Sequence, residues 1–390
     1  MRPAADPFET YRRTKVFSAL NGIRAVCALG VIKIHCHWST PGLSFLDHGD
    51  LGVDMFFVIS GFLIVTLLLR EKERHGDISL KKFYARRTLR IFPVYYALIL
   101  AVLASFLAVA PWKPSGLHFY MPVAAVLLTY TTDIIPMPAL GIFFHCWSLA
   151  MEEQFYLVWP ALEKLLAARA KWVLLVAALV VNQLVNFGVL GPVIDRVYGA
   201  DTGAREMPIF LITFTPIILG VTLAHLLHER RTFMLLYRIV GHRAAPVVLL
   251  ALVIAIVSRF GPTNQGLPKA TLHLTLMIGL ASVVVREDHV LRRVLTFPLI
   301  ERLGATSYGI YLYHVAILDL MTRLSHGRWS DLRMFLVVAP LAALVAEVSF
   351  RYFEGRFLNL RSRFQPSARP VDPDALAALG AAVDPGGPVA

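Results

Sequence analysis

The sequence predicts an all-α, polytopic membrane bundle of about ten transmembrane helices with both termini cytoplasmic. Three observations carry that expectation. The 390-residue chain is 57% hydrophobic and only 16% charged, where a soluble domain would carry roughly a quarter of its residues as Asp, Glu, Lys or Arg. Apolar windows long enough to cross roughly 30 Å of hydrocarbon recur along it. The basic residues alternate between rich and poor connections, as the positive-inside rule requires of spans in series.

In chain order the windows fall near 17–37, 51–69, 91–110, 142–163, 171–190, 208–227, 244–260, 270–286, 304–324 and 332–352. The apolar stretch 120–135 is short and flanked by Pro122, Pro136 and Pro138, which reads as a re-entrant or interfacial piece. With the N-terminus inside, the inner connections hold Arg12, Arg13 and Lys15, then Arg70 to Arg90, Lys164 to Lys171, Arg230 to Arg243, Arg286 to Arg302 and Arg351 to Arg363. The outer connections hold only Lys113, Arg196, Arg205, Arg259, Lys269 and Arg328. Adding or dropping one span would scramble this asymmetry.

Residues 1–16 then form a cytoplasmic segment and 17–357 the membrane domain. Residues 358–390 form a cytoplasmic tail whose Pro, Ala, Gly and Asp from about Gln365 predict disorder. Met1–Lys15 is polar and followed by a full-length span with no small-residue cleavage site, which does not read as a cleaved signal peptide. The net charge of +12 belongs to the cytoplasmic excess of Lys and Arg. No basic tract is interleaved with aromatics outside the apolar windows, so no nucleic-acid partner is expected. The three cysteines, Cys27, Cys36 and Cys146, are too few for a disulfide framework.

Titratable groups inside spans are expensive and default to a functional hypothesis. The first window carries Arg24 and His35. Eleven residues at about 100° each return to within roughly 20°, so both share one face, about 16 Å apart along the axis. Asp54 starts the second window at a similar depth, where a carboxylate could orient His35 as a general base. A histidine satisfied by a backbone carbonyl and an aspartate capping its own helix would explain the same pair. Cys36-His37 and His145-Cys146 contain ligand residue types, but no CxxC or HxxxH spacing occurs and no metal is expected. A Cys36–Cys146 disulfide stays open.

Arg86, Arg87 and Arg90 lie three and four apart, so their guanidiniums cluster where they suit either phosphate oxygens or anionic lipid. In Trp147-Ser148-Leu-Ala-Met-Glu152-Glu153-Gln154-Phe-Tyr156, two adjacent carboxylates sit some way into a span and need an internal partner or a wet cavity. Tyr308, Tyr311 and His314 follow at successive spacings of three along one helical ridge. Asp319 and Arg323, four apart, read as an intrahelical ion pair.

Taken together, these segments resemble the acyltransferase-3 family of bacterial integral-membrane acyltransferases, from about Leu20 to Phe357. Arg24 and His35 match its arginine–ten residues–histidine motif, and Gly52–Leu63 its second-span signature. Phe83-Tyr84 with Arg86, Arg87, Arg90 and Pro93 match its inner-loop motif, and Trp147–Leu149 with Glu152–Tyr156 a further one. Ser307-Tyr308 with Tyr311, Leu312 and His314 match the late motif, and Tyr352-Phe353-Glu354 resembles the closing element. Gly355 and Arg356 stand where members usually carry a proline, and Lys33 is an unusual charge for the first span.

The resemblance implies a multi-pass protein of the bacterial inner membrane. It implies transfer of an acyl group, usually acetyl, from acyl-CoA to a hydroxyl of a carbohydrate, glycolipid or macrolide-like acceptor, with no permanently bound cofactor. The expected catalytic residues are His35 as base and Asp54 as its orienting partner. Arg24, Arg86, Arg87 and Arg90 are expected to bind the donor. Trp147, Ser148, Glu152, Glu153, Tyr156, Tyr308, Tyr311 and His314 are expected to shape the substrate site. A route through an acylated His35 is the alternative chemistry. A proton-coupled transporter or flippase of a glycan or lipid precursor is the rival function, and it lacks a clear inverted repeat. A non-catalytic scaffold leaves the in-span polar residues unexplained. Membrane lipids are the remaining partners, and nothing in the sequence sets the oligomeric state.

Overall fold

The computed structural model describes residues 6–109, 122–134, 141–198, 214–260 and 265–364, and every regular element within them is helical. Each of the ten apolar windows contains a helix. Asp6 accepts from the backbone N–H of Phe8 and opens α1 (Pro7–Arg13), with proline at the first helical position, where its missing N–H costs nothing. A 70° bend leads to α2 (Ser18–His35), then come α3 (Leu51–His75) and α4 (Leu80–Val109). A short α5 covers 122–128 within the stretch expected to be re-entrant or interfacial. Next are α6 (Cys146–Leu165), α7 (Ala168–Asn186), α8 (Gly191–Tyr198) and α9 (Thr215–His228). Then α10 (Arg230–Val240) and α11 (Ala245–Phe260) meet at 72°. The chain ends in α12 (Gly266–Val284), α13 (Arg292–Leu295), α14 (Pro298–Ala305), α15 (Ser307–Leu324), α16 (Asp331–Ser349) and α17 (Gly355–Leu360). A π-turn over Phe350–Glu354 joins the last two.

Five helical stretches among the described residues are long and apolar enough to cross a membrane, or seven if each bent pair counts as one, against the ten expected. The shortfall has physical causes. α6 carries Glu152, Glu153, Glu163 and Lys164, and α15 carries three tyrosines, a histidine, Asp319 and Arg323, so polar groups dilute their hydropathy. α9 is 14 residues long, too short to span by itself, and begins after the described cap Phe214; residues 208–213 of that window lie outside the described residues, as does the tail from 365. The intrahelical pair in α15 is present, with Arg323 Nε 2.7 Å from Asp319 Oδ2.

Helix α3 is the central staff. Its apolar faces, with Phe57, Val58, Phe62, Val65 and Leu68, form one continuous core with α9 and α12. α9 comes close enough that a Cβ at Gly220 would stand 2.2 Å from the Val58 carbonyl oxygen, and one at Gly61 2.3 Å from that of Ile217. Only glycine permits that backbone approach.

Charged side chains tie the two ends of the bundle differently. At the end where α3 stops, Arg230 pairs with Asp6 at 2.5 Å, Lys164 with Asp77 at 2.6 Å and Arg86 with Glu71 at 3.0 Å, and Arg12 with Glu73. Just inside, fully buried Glu163 is neutralised by Lys171 at 2.5 Å and approached by His225 at 3.1 Å. At the opposite end, Lys33 is buried and bonds both Asp47 (2.5 Å) and the Trp38 carbonyl (2.7 Å), strapping the loop after α2 to its own helix. The unusual charge in the first span is thus satisfied within the loop that follows it.

Candidate active site

Two polar centres lie next to one another inside the bundle. The first is a cavity of about 90 Å³ enclosed by α2, α3, α4, α6 and α15. One water needs only about 10–15 Å³ by the same measure, so there is room for several waters or a small acyl group. Its charged lining consists of the guanidiniums of Arg24, Arg87 and Arg90 and the carboxylate of Glu152. Glu152 accepts from Ser60 Oγ and from the hydroxyl of Tyr156, and the Arg87 guanidinium stands 4.4 Å over the Tyr156 ring. Among the described residues Arg24 and Arg90 have no ion-pair partner, so the cavity carries excess positive charge and suits an anion. Ser148, Tyr308 and Tyr311 complete the polar wall, alongside Phe56, Phe57 and Leu63.

The second centre is a group of three imidazoles at the C-terminal end of α2, from His35, His145 and His314. His35 Nδ1 lies 2.7 Å from His314 Nε2, and the two ring planes differ by only 7°. That nitrogen–nitrogen separation plus the two ring radii accounts for the whole 5.0 Å between centroids, so the rings sit edge to edge in one plane, hydrogen-bonded and not stacked. His314 Nδ1 is 2.5 Å from the backbone oxygen of Tyr311. A carbonyl only accepts, so His314 carries its proton on Nδ1, and in the neutral ring Nε2 is then the acceptor. His35 must donate from Nδ1. Its Nε2 is left as the unprotonated nitrogen, which is what a general base presents.

The two centres meet at Ser148 and Tyr311. Their hydroxyls are 2.7 Å apart on the cavity wall, and both point to the His145 carbonyl, at 3.1 Å from Ser148 and 3.3 Å from Tyr311. The His145 ring lies 5.1 Å from the His314 ring and donates from Nε2 to the Leu312 carbonyl at 3.3 Å. Three residues spaced three apart on α15 thus serve both centres, with Tyr308 and Tyr311 on the arginine cavity and His314 holding His35.

Other expected groupings are not formed. Asp54 does not meet His35; its carboxylate pairs with His273 of α12 at 3.2 Å, both side chains being buried. Similar depth on consecutive antiparallel helices fixes height but not direction, and Asp54 turns toward α12. The three arginines of α4 are also divided. Arg86 leaves the cluster for Glu71 and the Phe364 carbonyl, at 2.7 Å from the latter, while Arg87 and Arg90 line the cavity. Trp147 packs edge-on against Phe57 outside the cavity lining. Glu153, about 100° around the helix from Glu152, points away from the cavity, and its neighbour Gln154 bonds Asp133 at 2.8 Å and the Tyr130 carbonyl at 3.0 Å. Glu354 is buried in the π-turn and accepts from Ser349 Oγ at 3.1 Å. All three cysteines are free, so the Cys36–Cys146 disulfide is not formed. Among the described residues no three His, Cys, Asp or Glu side chains, the three imidazoles included, are arranged so as to hold a metal ion.

Residues 17–350 match the model of an acyltransferase domain. The chain belongs to this acyltransferase family. It is 26% identical over 370 residues to the peptidoglycan O-acetyltransferase OatA of Listeria monocytogenes, covering 87% of this chain and 55% of that protein. It is 27% identical over 358 residues to the O-acetyltransferase OatA of Staphylococcus aureus, covering 86% of this chain and 56% of that one. The chain thus spans little more than half the length of these relatives. No solved structure matches it.

Within this acyltransferase domain the sequence motifs converge, but three participants escaped sequence reasoning. His273 lies in an apolar window, and the rule that singles out His35 applies equally to it. In the sequence His145 stands out only as a metal-ligand residue type beside Cys146. Ser60 sits inside the second-span signature, one turn of helix from residues that also line the cavity, and a serine in a span raises no alarm because it satisfies itself on its own helix.

Proposed function

We propose that the protein is a membrane-embedded O-acyltransferase that moves an acyl group, in the first instance acetyl, from acyl-CoA to a hydroxyl of a carbohydrate, glycolipid or macrolide-like acceptor. The observation that carries this reading is the planar His35–His314 pair beside an arginine-lined cavity. The pair prepares a base, and the cavity offers guanidinium forks to phosphate oxygens. The names of the relatives support acetyl as the group and a cell-wall glycan as a model acceptor.

In this reading the basic end of the bundle, with both termini, faces the cytoplasm of a bacterium, and the protein resides in its inner membrane. The donor enters there, with Arg87, Arg90 and Arg24 drawing its phosphates. The pantetheine arm follows the ridge from Tyr308 through Tyr311 to His314, about 9 Å along the helix. At its end His35 Nε2 takes the proton of the acceptor hydroxyl as the oxygen attacks the thioester carbonyl carbon. Collapse of the tetrahedral adduct breaks the C–S bond, and the CoA thiolate leaves with the proton returned by His35. A hydroxyl is a poor nucleophile near neutral pH, and a positioned base contributes about 10²–10⁴-fold. Asp54 takes no direct part in this scheme; it holds α3 to α12 through His273.

The test is acyl transfer from labelled acetyl-CoA by parent and His35→Ala protein, folded to equal extent in the same membranes. Mass spectrometry of surface glycans, lipids and secreted metabolites would seek the acyl-sized mass increment. Undiminished transfer by His35→Ala would remove the base from the scheme. Net movement of a glycan or lipid without label transfer would favour the transporter.

A further inference from the structure

A second cavity, of about 130 Å³, opens where α1, the last turns of α3 and the end of α9 meet. It shares no lining residue with the arginine cavity of the candidate active site. Its walls carry the guanidiniums of Arg12, Arg70 and Arg74 and the imidazole of His228 against one carboxylate, Glu73. We propose that it is a dedicated site for a phosphate group, independent of the acyl-transfer scheme.

Arg70 is built in. It donates to the carbonyls of Thr14 at 2.6 Å and Tyr11 at 3.0 Å, and its guanidinium lies 5.4 Å over the Tyr11 ring and 5.5 Å over the Phe17 ring. Two of its five N–H donors are thereby used, and the remaining ones are held in fixed directions. Arg12 is anchored by Glu73, which neutralises one of the three positive charges. Arg74 makes no ion pair or hydrogen bond among the described residues, and neither does His228. Two uncompensated guanidiniums and an imidazole around a roomy hollow leave a surplus that a tetrahedral, multiply charged oxyanion satisfies through paired, charge-assisted hydrogen bonds. The buried hydroxyls of Tyr11 and Thr66 supply neutral donors on the inner wall.

The position narrows the chemistry further. α1 meets α2 at 70°, and Arg230 of α10 reaches back to Asp6 at the start of α1. The hollow therefore lies at the basic end of the bundle, where α3 and α9 run out, at the depth of lipid headgroups for helices that span. The phosphate can come from an anionic phospholipid or from a soluble phosphate compound, and the two sources are separable.

The experiment uses the full chain in nanodiscs. Thermal unfolding is measured in phosphatidylcholine alone, in phosphatidylcholine with phosphatidylglycerol, and in phosphatidylcholine with inorganic phosphate titrated in. Arg74→Gln removes a lining charge from an exposed position. Lys72→Gln removes an equal charge from an exposed neighbour on α3 outside the hollow. Stabilisation by phosphatidylglycerol that Arg74→Gln loses and Lys72→Gln keeps establishes a lipid headgroup site. Saturable stabilisation by inorganic phosphate with the same pattern, its apparent Kd weakened at least about tenfold by Arg74→Gln, establishes a soluble phosphate site. No stabilisation by either probe, or an equal loss in both variants, overturns the proposal.

Discussion

His35 and His314, 279 residues apart in the chain, lie in one plane across a 2.7 Å hydrogen bond. An imidazole here occupies the place that a carboxylate takes in more familiar base-orienting pairs. It fixes the tautomer of His35 without placing a negative charge in the bundle. What it gives up is the electrostatic support a carboxylate lends to a protonated base.

The first prediction follows from that arrangement. His314→Ala leaves His35 free to rotate and to exchange tautomers, and kcat for acyl transfer should fall about 10²-fold or more. KM for the donor should rise far less than kcat falls, because the arginines are untouched. His314→Gln keeps an amide oxygen able to accept from His35 Nδ1 and should recover part of the rate. Equal losses in both variants, or a loss confined to donor KM, would refute the orienting role.

Asp54 and His273 make the second prediction. Each is buried against the other, and removing one partner strands the second, a change that typically costs about 3–5 kcal/mol. Asp54→Ala and His273→Ala should each lower the thermal midpoint, while the double variant falls short of the sum of the two. Inactive but fully stable Asp54→Ala protein would return the aspartate to the catalytic centre.

A third prediction separates the arginines of α4. Arg87→Ala and Arg90→Ala should each raise the donor KM about tenfold or more, the scale of a lost charge-assisted hydrogen bond to phosphate. Arg86→Ala breaks the tie to Glu71 and should lower stability while leaving donor KM within about twofold. Steady-state kinetics at varied acyl-CoA, alongside unfolding curves, would show whether the three fall into these two groups.

The fourth concerns pH. Asp288, in the connection after α12, is clamped by Arg286 at 2.7 Å and by Arg243 at 2.7 Å, which pushes its carboxyl down to about 2 from the usual 3.8. A depressed carboxylate contributes stability that is present above its unfolded value and is lost as pH falls through the folded one. The window is therefore about pH 4 down to about pH 2, and the exposed setting limits the gain to about 1 kcal/mol or less. Asp288→Asn should flatten that part of the acid-unfolding profile and leave neutral pH activity unchanged.

Much of this was legible from residue order. Every apolar window holds a helix, and the motif residues Arg24, Arg87, Arg90, Ser148, Glu152, Tyr156, Tyr308 and Tyr311 do gather around one cavity. Helical periodicity accounts for that success, since spacings of three, four and eleven place residues on one face. Partner choice was not legible. Whether Asp54 meets His35 or His273 depends on how α3 is rotated between α2 and α12, which the periodicity of α3 alone leaves free. The split of Arg86 from Arg87 has a like origin: adjacent residues diverge by about 100°, and Glu71, on another helix, claims one of them. The count of ten spans is not reproduced by length and hydropathy among the described residues, because the polar groups that build the cavity make α6 and α15 less apolar than the helices around them.

Tyr311 joins two tasks in one residue. Its hydroxyl belongs to the arginine cavity, and its carbonyl fixes the proton on His314. A donor that pushes on the hydroxyl also pushes on the peptide that sets the tautomer of the base. Occupancy of one centre and readiness of the other are then linked quantities, and linkage is reciprocal. In the proposed reaction a donor would bind more tightly when the imidazole pair is aligned, and the pair would align more firmly when a donor is bound, which ties an unproductive thioester and an idle base to the same vanishing population.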